Sequence, residues 1–282
     1  MIRQNPVGHM TNTLDNKPDN LVDPQRSVTN WPTKVDLIGV QVSEVDYESA
    51  VESICQAATK GERGIVSCHA VHAIVTMSCD ERLREMVNEF RMITPDGQPV
   101  RWAMNWLNGS KLKDRVYGPE LMLQLCRRAE RERLPIYLYG GNEQVAEALP
   151  KSLNRLFPSL IIAGSESPPF RPLSKDEDEC VVERINASGA RIVFIGLGCP
   201  KQDIFAYGHR QQINGIQVCV GAAFDFHAGA KPMAPQWMQR NGLEWMFRLC
   251  KEPGRLWKRY LQTNTIFVWK VATSFFATKN RG

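Results

Sequence analysis

The residues with the clearest chemical potential in this sequence directly follow short apolar runs. Asp96 lies in the segment Thr94-Pro95-Asp96-Gly97-Gln98-Pro99, just after one such run. A loop that follows a strand can hold a carboxylate over a cleft, and Gly97 allows close approach of the backbone. Asp96 is therefore a candidate general base. Because Pro-Asp-Gly is also a common turn sequence, a purely structural role stays open.

Two glycine segments are candidate sites for an anion or a nucleotide. The stronger is Gly196-Leu197-Gly198-Cys199-Pro200-Lys201-Gln202, which follows an apolar run and opens a helix with Pro200 at its first position. Backbone N–H groups at a helix N-terminus attract anions, and the side chains of Lys201 and Gln202 add donors beside them. The weaker is Gly140-Gly141-Asn142, which is equally consistent with a plain strand-to-helix turn.

The stronger glycine segment disfavours two cofactor sites. Lys201 occupies the third glycine position of the dinucleotide fingerprint GxGxxG, and the segment lacks the GK[ST] ending of a P-loop. An NAD-dependent oxidoreductase, the first rival function, requires an intact glycine fingerprint and an acidic residue after it. The segment at Gly196 supplies neither feature.

One further carboxylate follows the last predicted strand. Asp225 lies between Phe224 and Phe226, where it could bind a sugar hydroxyl or cap the segment that follows. The histidines show no ligand spacing such as HExxH, and the eight cysteines contain no CxxC pair. We therefore predict no metal site and no cofactor, and we expect reduced thiols in a cytosolic protein.

Helical and strand patterns alternate at intervals that suit parallel crossovers. Asp46 and Gly61 mark the ends of the first helix, and Ser174 with Glu177 has the spacing of a capping box. The predicted strands are Gly64–Cys68, Arg91–Thr94, Pro135–Tyr139, Arg191–Gly196 and Gln217–Gly221, and further helices are Glu81–Phe90 and Glu120–Leu134. This order predicts an α/β fold with a largely parallel sheet, helices on both faces and ligands at the carboxyl ends of the strands.

Composition divides the chain into three parts. Residues 1–33 are polar and Asn-rich and are predicted to be a flexible tail, whereas residues 34–229 carry the α/β pattern. Residues 230–282 hold ten Lys or Arg against two acids, a net charge of +8, which leaves −3 for the rest. This basic C-terminal appendage is predicted to be helical, and its cations are interleaved with aromatic residues.

The aromatic residues indicate which polyanion the appendage meets. Helices with aromatic and basic faces suit the interface of an anionic bilayer. A nucleic-acid-binding module, the second rival function, would carry a stripe of cations with few exposed indoles. A terminal helical pair that packs on the domain is the structural alternative. The sequence shows neither a signal peptide nor 18 consecutive apolar residues, so we expect a cytoplasmic protein that binds peripherally to the cytoplasmic face of an anionic membrane.

Six segments, in order, resemble the WecG/TagA/CpsF glycosyltransferases, family 26 of the sugar transferases. The similarity covers about residues 35–262. Its marks are Pro95-Asp96-Gly97 with Trp102, Arg115 through Leu121, Gly140-Gly141, Gly196 through Gln202, Gly221 through Gly229, and a final run from Ala234-Pro235 through Leu243-Glu244-Trp245, Arg248-Leu249, Glu252-Pro253 and Arg255 to Arg259-Tyr260.

The resemblance implies an activity and its partners. Members transfer N-acetylmannosamine, its uronic acid or another hexose such as glucose from a UDP-sugar to an undecaprenyl diphosphate-linked acceptor, as in exopolysaccharide assembly. It implies a Rossmann-like core, inversion at the anomeric carbon and metal independence. It also implies a C-terminal appendage that reaches the anionic membrane and helps to complete the active site. No nucleic-acid partner is expected, and assembly into homo-oligomers is left open.

The resemblance also assigns roles to residues. Asp96 becomes the catalytic base, and Arg115 and Gln202 become donor or acceptor contacts. Without a metal, the departing diphosphate needs cations such as Arg115, Arg248 and Arg255. The other residues expected to bind substrates are Ser67, Gly140, Gly141, Gly196, Gly198, Lys201, Asp225 and Arg259.

One segment departs from the family pattern. Where many members have Thr-x-Asn after the first strand, this chain has Ser67-Cys68-His69. Ser67 keeps a hydroxyl, but an imidazole replaces the amide. His69 could change the sugar that is preferred, or it could sit beside Asp96 and share its catalytic work.

Overall fold

A parallel sheet of six strands is the centre of the fold. The computed structural model describes residues 29–279, without the side chains of Arg255, Thr278 and Lys279. Its strands are β1 (Lys34–Leu37), β2 (Val40–Ser43), β3 (Gly64–His69), β4 (Met92–Pro95), β5 (Ile136–Gly140), β6 (Ile162–Glu166), β7 (Ile192–Gly196) and β8 (Ile216–Cys219). β1 and β2 form an antiparallel hairpin, and the other six strands pair in the order β4-β3-β8-β7-β5-β6.

Helices connect the strands and continue into the appendage. They are α1 (Tyr47–Lys60), α2 (Val71–Cys79), α3 (Glu81–Asn88), α4 (Gln98–Asn108), α5 (Gly118–Glu132), α6 (Glu143–Leu156), α7 (Lys175–Ala187), α8 (Lys201–Gly208), α9 (Ala223–His227), α10 (Gln236–Arg240), α11 (Glu244–Lys251) and α12 (Pro253–Lys279). The parallel strands require these crossovers, because the chain must return to the same end of the sheet before each new strand.

Each face of the sheet buries its own hydrophobic cluster. Successive residues of β7 alternate between them: Ile192 and Phe194 pack with α1, α5, α6 and α9, whereas Val193 and Ile195 pack on the opposite face. The second cluster also contains Phe267 and Val271 of α12, which are almost fully buried. The α/β fold with helices on both faces is thereby confirmed, and part of the appendage packs on the core.

Local capping signals in the sequence correspond to the observed helix ends. Asp46 accepts a hydrogen bond from Ser49 N–H and opens α1, and Gly61 ends that helix in the left-handed region. The capping box of Ser174 and Glu177 is present at α7. The predicted position of Pro200 is wrong by one residue, since Pro200 is the N-cap of α8 and Lys201 is its first residue.

Two predictions fall partly outside the described residues. Residues 1–28 of the predicted tail lie outside them, and so does the side chain of Arg255. Thr29 is buried, and its backbone N–H and hydroxyl both donate to Glu62 Oε1, at 3.0 and 2.8 Å.

Candidate active site

Asp96 lies at the carboxyl end of β4, where the chain turns into α4. Its backbone N–H donates to the carbonyl of His69 at 3.2 Å, and Gly118 N–H at the start of α5 donates to Asp96 Oδ2 at 3.3 Å. The side chain is partly buried. Burial raises the pKa of Asp96 from 3.8 to about 6, although the cation of Arg115 favours the ionised form. A carboxylate with this pKa can accept a proton near neutral pH.

Four side chains beside Asp96 join the core to the appendage; we call them the arginine cluster: Arg115, Tyr117, Glu244 and Arg248. Arg115 Nη2 donates to Glu244 Oε2 at 2.9 Å, and Tyr117 donates its hydroxyl to Glu244 Oε1 at 2.8 Å. Arg248 Nη2 lies 3.1 Å from Glu244 Oε1. Arg115 and Glu244 are buried, 7% and 9% exposed, so their charges are little screened by water.

Aromatic rings support both arginines of this cluster. The Arg115 guanidinium lies 4.2 Å from the ring centre of Tyr117, and that of Arg248 lies 4.9 Å from the ring centre of Phe226. Both cations and Glu244 are close enough to Asp96 to alter its pKa. The structure therefore places the predicted residues Asp96, Arg115 and Arg248 in one site.

His69 and Ser67 face away from this site. His69 Nε2 lies 3.1 Å from Asp203 Oδ1, which also accepts the Ser67 hydroxyl at 2.6 Å. All three residues are fully buried. His69 Nδ1 and Asp203 Oδ2 have no hydrogen-bond partner within residues 29–279. The side chain of His69 thus contacts α8, and its hydrogen bond with Asp96 is made through the backbone.

Gln202 connects the two loops that follow β7 and β8. Its Oε1 accepts the backbone N–H groups of Gly198 at 3.1 Å and Gly221 at 3.0 Å, and the residue is 2% exposed. An acceptor shared by two loops fixes the spacing between them. Gln202 therefore stabilises the predicted nucleotide loop after β7 through a side-chain hydrogen bond. Lys201 is exposed.

The glycines of these loops serve different structural purposes. A Cβ on Gly140 would lie 2.6 Å from the backbone carbon of Gly196, and a Cβ on Gly196 would lie 2.6 Å from Phe224 Cδ2. Both glycines are therefore required for close packing of the strand ends. Gly198 has a φ of 76° and open space around its Cβ position, so no side chain obstructs the close approach of a ligand there.

The contacts of three further predicted residues, Asp225, Arg259 and Gly141, lie outside the arginine cluster. Asp225, in α9, forms an ion pair of 2.8 Å with Lys231. Arg259 is exposed and lies near His72, whose pKa is lowered to about 4 by burial and by this cation. The Gly141 N–H donates to the carbonyl of Gly196 at 3.1 Å, which joins its loop to the β7 loop.

Sequence reasoning missed the roles of Glu244, Tyr117 and Asp203. Glu244 is one of only two acids in a segment of net charge +8, and an isolated acid among cations is a signal for an ion pair. Asp203 follows Gln202 directly at the start of α8. No local pattern indicates that it would be buried against His69, because that contact spans 134 residues.

Exposed aromatic and aliphatic side chains form a further feature, which we call the aromatic surface: Trp102 and Trp106 of α4, and Trp257, Leu261, Val268, Trp269 and Phe276 of α12. At 100° per residue, the α12 members occupy about a third of the helix circumference, opposite the buried face. Trp106 stacks on Phe275 with 4.3 Å between ring centres, so the Trp106 indole of α4 adjoins α12.

Residues 29–279 contain neither a cluster of metal-ligating side chains nor a helix that could span a membrane. No group of three or more His, Cys, Asp and Glu side chains in this part of the chain is arranged to hold a metal ion. Within the same residues, none of the helices combines the length and the apolar character needed to cross a bilayer.

Comparison with known protein families finds a match that covers most of the chain. The family model described as glycosyl transferase WecG/TagA/CpsF family matches residues 35–281. The match spans both the sheet and the appendage, and it includes every residue of the arginine cluster.

Proposed function

The chain belongs to the glycosyl transferase WecG/TagA/CpsF family, and on this premise we propose that it transfers a hexose from a UDP-sugar to an undecaprenyl diphosphate-linked acceptor with inversion. Membership makes it a glycosyltransferase of polysaccharide biosynthesis. The observation that carries the finer proposal is the juxtaposition of Asp96, a carboxylate of raised pKa, with the two arginines of the arginine cluster.

Asp96 acts as the general base in this proposal. The acceptor hydroxyl oxygen attacks the anomeric carbon of the donor, and its proton passes to Asp96. The bond between that carbon and the UDP oxygen breaks, and UDP leaves with the electron pair. One displacement inverts the anomeric configuration. We assign the base to Asp96 and not to His69, because the His69 side chain is fully buried against Asp203.

The arginine cluster stabilises the departing diphosphate. Guanidinium groups bind phosphate oxygens through two parallel hydrogen bonds, and the interaction strengthens as negative charge develops on the leaving group. Arg115 and Arg248 are already held by aromatic rings, so little side-chain freedom is lost when the donor binds. No step in this proposal uses a metal or another cofactor.

The loop after β7 binds the nucleotide. Gly198 leaves open space beside the N-terminus of α8, and Gln202 fixes this loop against the loop after β8. The transferred sugar is N-acetylmannosamine, its uronic acid, glucose or a similar hexose. The closeness of the loops after β5 and β7, joined by Gly141 and Gly196, supports one continuous donor site.

The aromatic surface binds the inner face of the plasma membrane, where a lipid-linked acceptor resides. Indoles favour the headgroup region, and the appendage carries cations for anionic lipids. α4 begins directly after Asp96-Gly97, so its exposed Trp102 and Trp106 connect the membrane to the catalytic loop. We therefore propose that the protein acts on the cytoplasmic side of this membrane as a peripheral membrane protein.

A donor panel tests the proposal. UDP-sugars that bind the folded protein should raise its unfolding temperature, because a ligand at 100 times its Kd adds about 2.7 kcal/mol of stability. GDP- and ADP-sugars serve as matched controls. The protecting donor should then be consumed with a lipid diphosphate acceptor in anionic vesicles. If no UDP-sugar protects the protein or supports transfer, the proposal is wrong.

A further inference from the structure

We propose that Glu244 is a positioning residue, which orients Arg115 and Arg248 for the diphosphate and keeps Asp96 competent to accept a proton. The inference rests on the proposed function. Through Glu244, the appendage contributes an acid to the arginine cluster as well as its cations.

Glu244 uses both carboxylate oxygens to join the core to the appendage. Oε2 accepts from Arg115, and Oε1 accepts from Tyr117 while also contacting Arg248. Arg115 and Tyr117 precede α5, whereas Glu244 and Arg248 lie one turn apart on α11. One buried carboxylate therefore determines where both guanidinium groups lie relative to each other.

The arginines keep donors that Glu244 does not use. The hydrogen bonds of Arg115 to Glu244 and Gln239 are both made by Nη2. Arg248 contacts Glu244 through Nη2, and its buried Nε has no hydrogen-bond partner among residues 29–279. A buried donor without a partner is costly, so it indicates a site for an acceptor group. Diphosphate oxygens are acceptors of the required charge.

Anion binding alone does not explain why Glu244 is present in the arginine cluster, because the negative charge of Glu244 opposes the approach of a diphosphate. Two cations beside Asp96 also lower its affinity for a proton, which weakens it as a base. Glu244 acts in the opposite direction on Asp96. With Glu244 present, Asp96 and the arginine cluster carry equal numbers of acids and cations, and Asp96 keeps a pKa near the working pH.

The groups that surround Asp96 come from several elements. They are Tyr47 of α1, Cys68 of β3, Arg115 and Tyr117 before α5, the Gly118 N–H, and Glu244 and Arg248 of α11. The acidic member of this set is Glu244. Removing its charge should therefore shift the titration of Asp96 to lower pH, whereas a purely structural tether would not affect that titration.

The test compares E244Q with E252Q in the full-length protein. Glu252 is also an acid at the end of α11, and its Oε1 lies 3.9 Å from Nζ of Lys231, a residue that does not belong to the arginine cluster. The Gly118 amide donates to Asp96, so its NMR shift in the absence of substrates reports the protonation of Asp96. Transfer kinetics with a UDP-sugar and a lipid diphosphate acceptor are measured beside it.

For E244Q we expect the Gly118 titration midpoint, near pH 6 in the unmodified protein, to fall by roughly half a pH unit or more. We expect kcat to fall by about 100-fold, with a much smaller change in donor KM. E252Q should keep both values. An unmoved midpoint in E244Q, or equal effects in E252Q, would overturn the proposal.

A second variant, Y117F, keeps every charge and removes only one hydrogen bond to Glu244. It should lower kcat while leaving donor KM within about threefold, and unchanged kcat would contradict the positioning role even if E244Q failed to fold. The NMR titration needs no turnover. If the unmodified protein transferred no sugar, the proposed function would fail while the effect of Glu244 on Asp96 remained measurable.

Discussion

Replacing Asp96 with Asn should make the protein more stable and much less active. Asn keeps the shape of the side chain and an acceptor for the Gly118 N–H, but it cannot take a proton from the acceptor hydroxyl. Turnover should therefore fall by about 10²-fold to 10⁴-fold while UDP binding persists. Stability should rise because burial raises the pKa of Asp96 from 3.8 to about 6, so its ionised form is disfavoured in the folded protein.

The size and the sign of the stability change follow from proton linkage. Each pKa unit corresponds to about 1.4 kcal/mol, so the elevation of Asp96 implies a cost of up to about 3 kcal/mol at neutral pH. Below 3.8 the carboxyl is protonated in both states, and the cost vanishes. Between 3.8 and 6 the unfolded chain loses its proton first, so wild-type stability falls as pH rises. Above about 6 the full cost is present.

Urea unfolding of the two proteins at pH 4 to 8 measures this difference. The advantage of Asp96→Asn should be near zero at pH 4, should grow through pH 5 and should level off above pH 7. The slope with denaturant should stay the same, so that the midpoint reports stability. A variant that is less stable at pH 7, or whose advantage does not depend on pH, would refute the elevated pKa of Asp96.

Three further predictions concern the other parts of the site. Gln202→Ala should weaken UDP binding by about tenfold in calorimetric titration, because two loop N–H groups lose their acceptor; equal affinities would remove Gln202 from the nucleotide site. In His69→Ala, the acid limb of the pH–rate profile should stay near pH 6, because Asp96 is still the base. If turnover collapsed in His69→Ala while Asp96→Asn kept near-normal activity, His69 would be the base instead. Replacing both Trp102 and Trp106 with Ala should reduce sedimentation with anionic vesicles. The control Phe170→Ala, at a nearly fully exposed position, should not reduce it. Equal binding by the unmodified protein and both variants would exclude α4 from the membrane surface.

The sheet was predictable because its inner strands are short apolar runs with helical patterns between them. The strand predicted at Arg191–Gly196 is observed as Ile192–Gly196, and similar one- or two-residue differences occur elsewhere. β6 was not predicted, because it is an edge strand with the polar, glycine-containing sequence Ile-Ala-Gly-Ser-Glu. The β1-β2 hairpin was also missed; its turn places Ile38 and Gly39 at positive φ, which the apolar Ile38 does not signal.

The site was predictable where one segment carries the chemistry, and not where distant segments meet. Asp96 and the glycine loop at Gly196 follow strands, and the carboxyl ends of parallel strands share one edge of the sheet. Glu244 bonds to Arg115 across 129 residues, and no local spacing encodes such a contact. The departure from the family pattern at His69 left two roles open, a change in the preferred sugar or a shared role beside Asp96; the side chain instead contacts Asp203 on α8.

The central claim is a single displacement at the anomeric carbon, with Asp96 as the base. The most direct measurement is the anomeric configuration of the sugar in the product, determined by NMR after transfer from a UDP-sugar of known configuration. One displacement predicts a product of inverted configuration, formed without a sugar-enzyme intermediate. A product that retains the donor configuration would contradict this account.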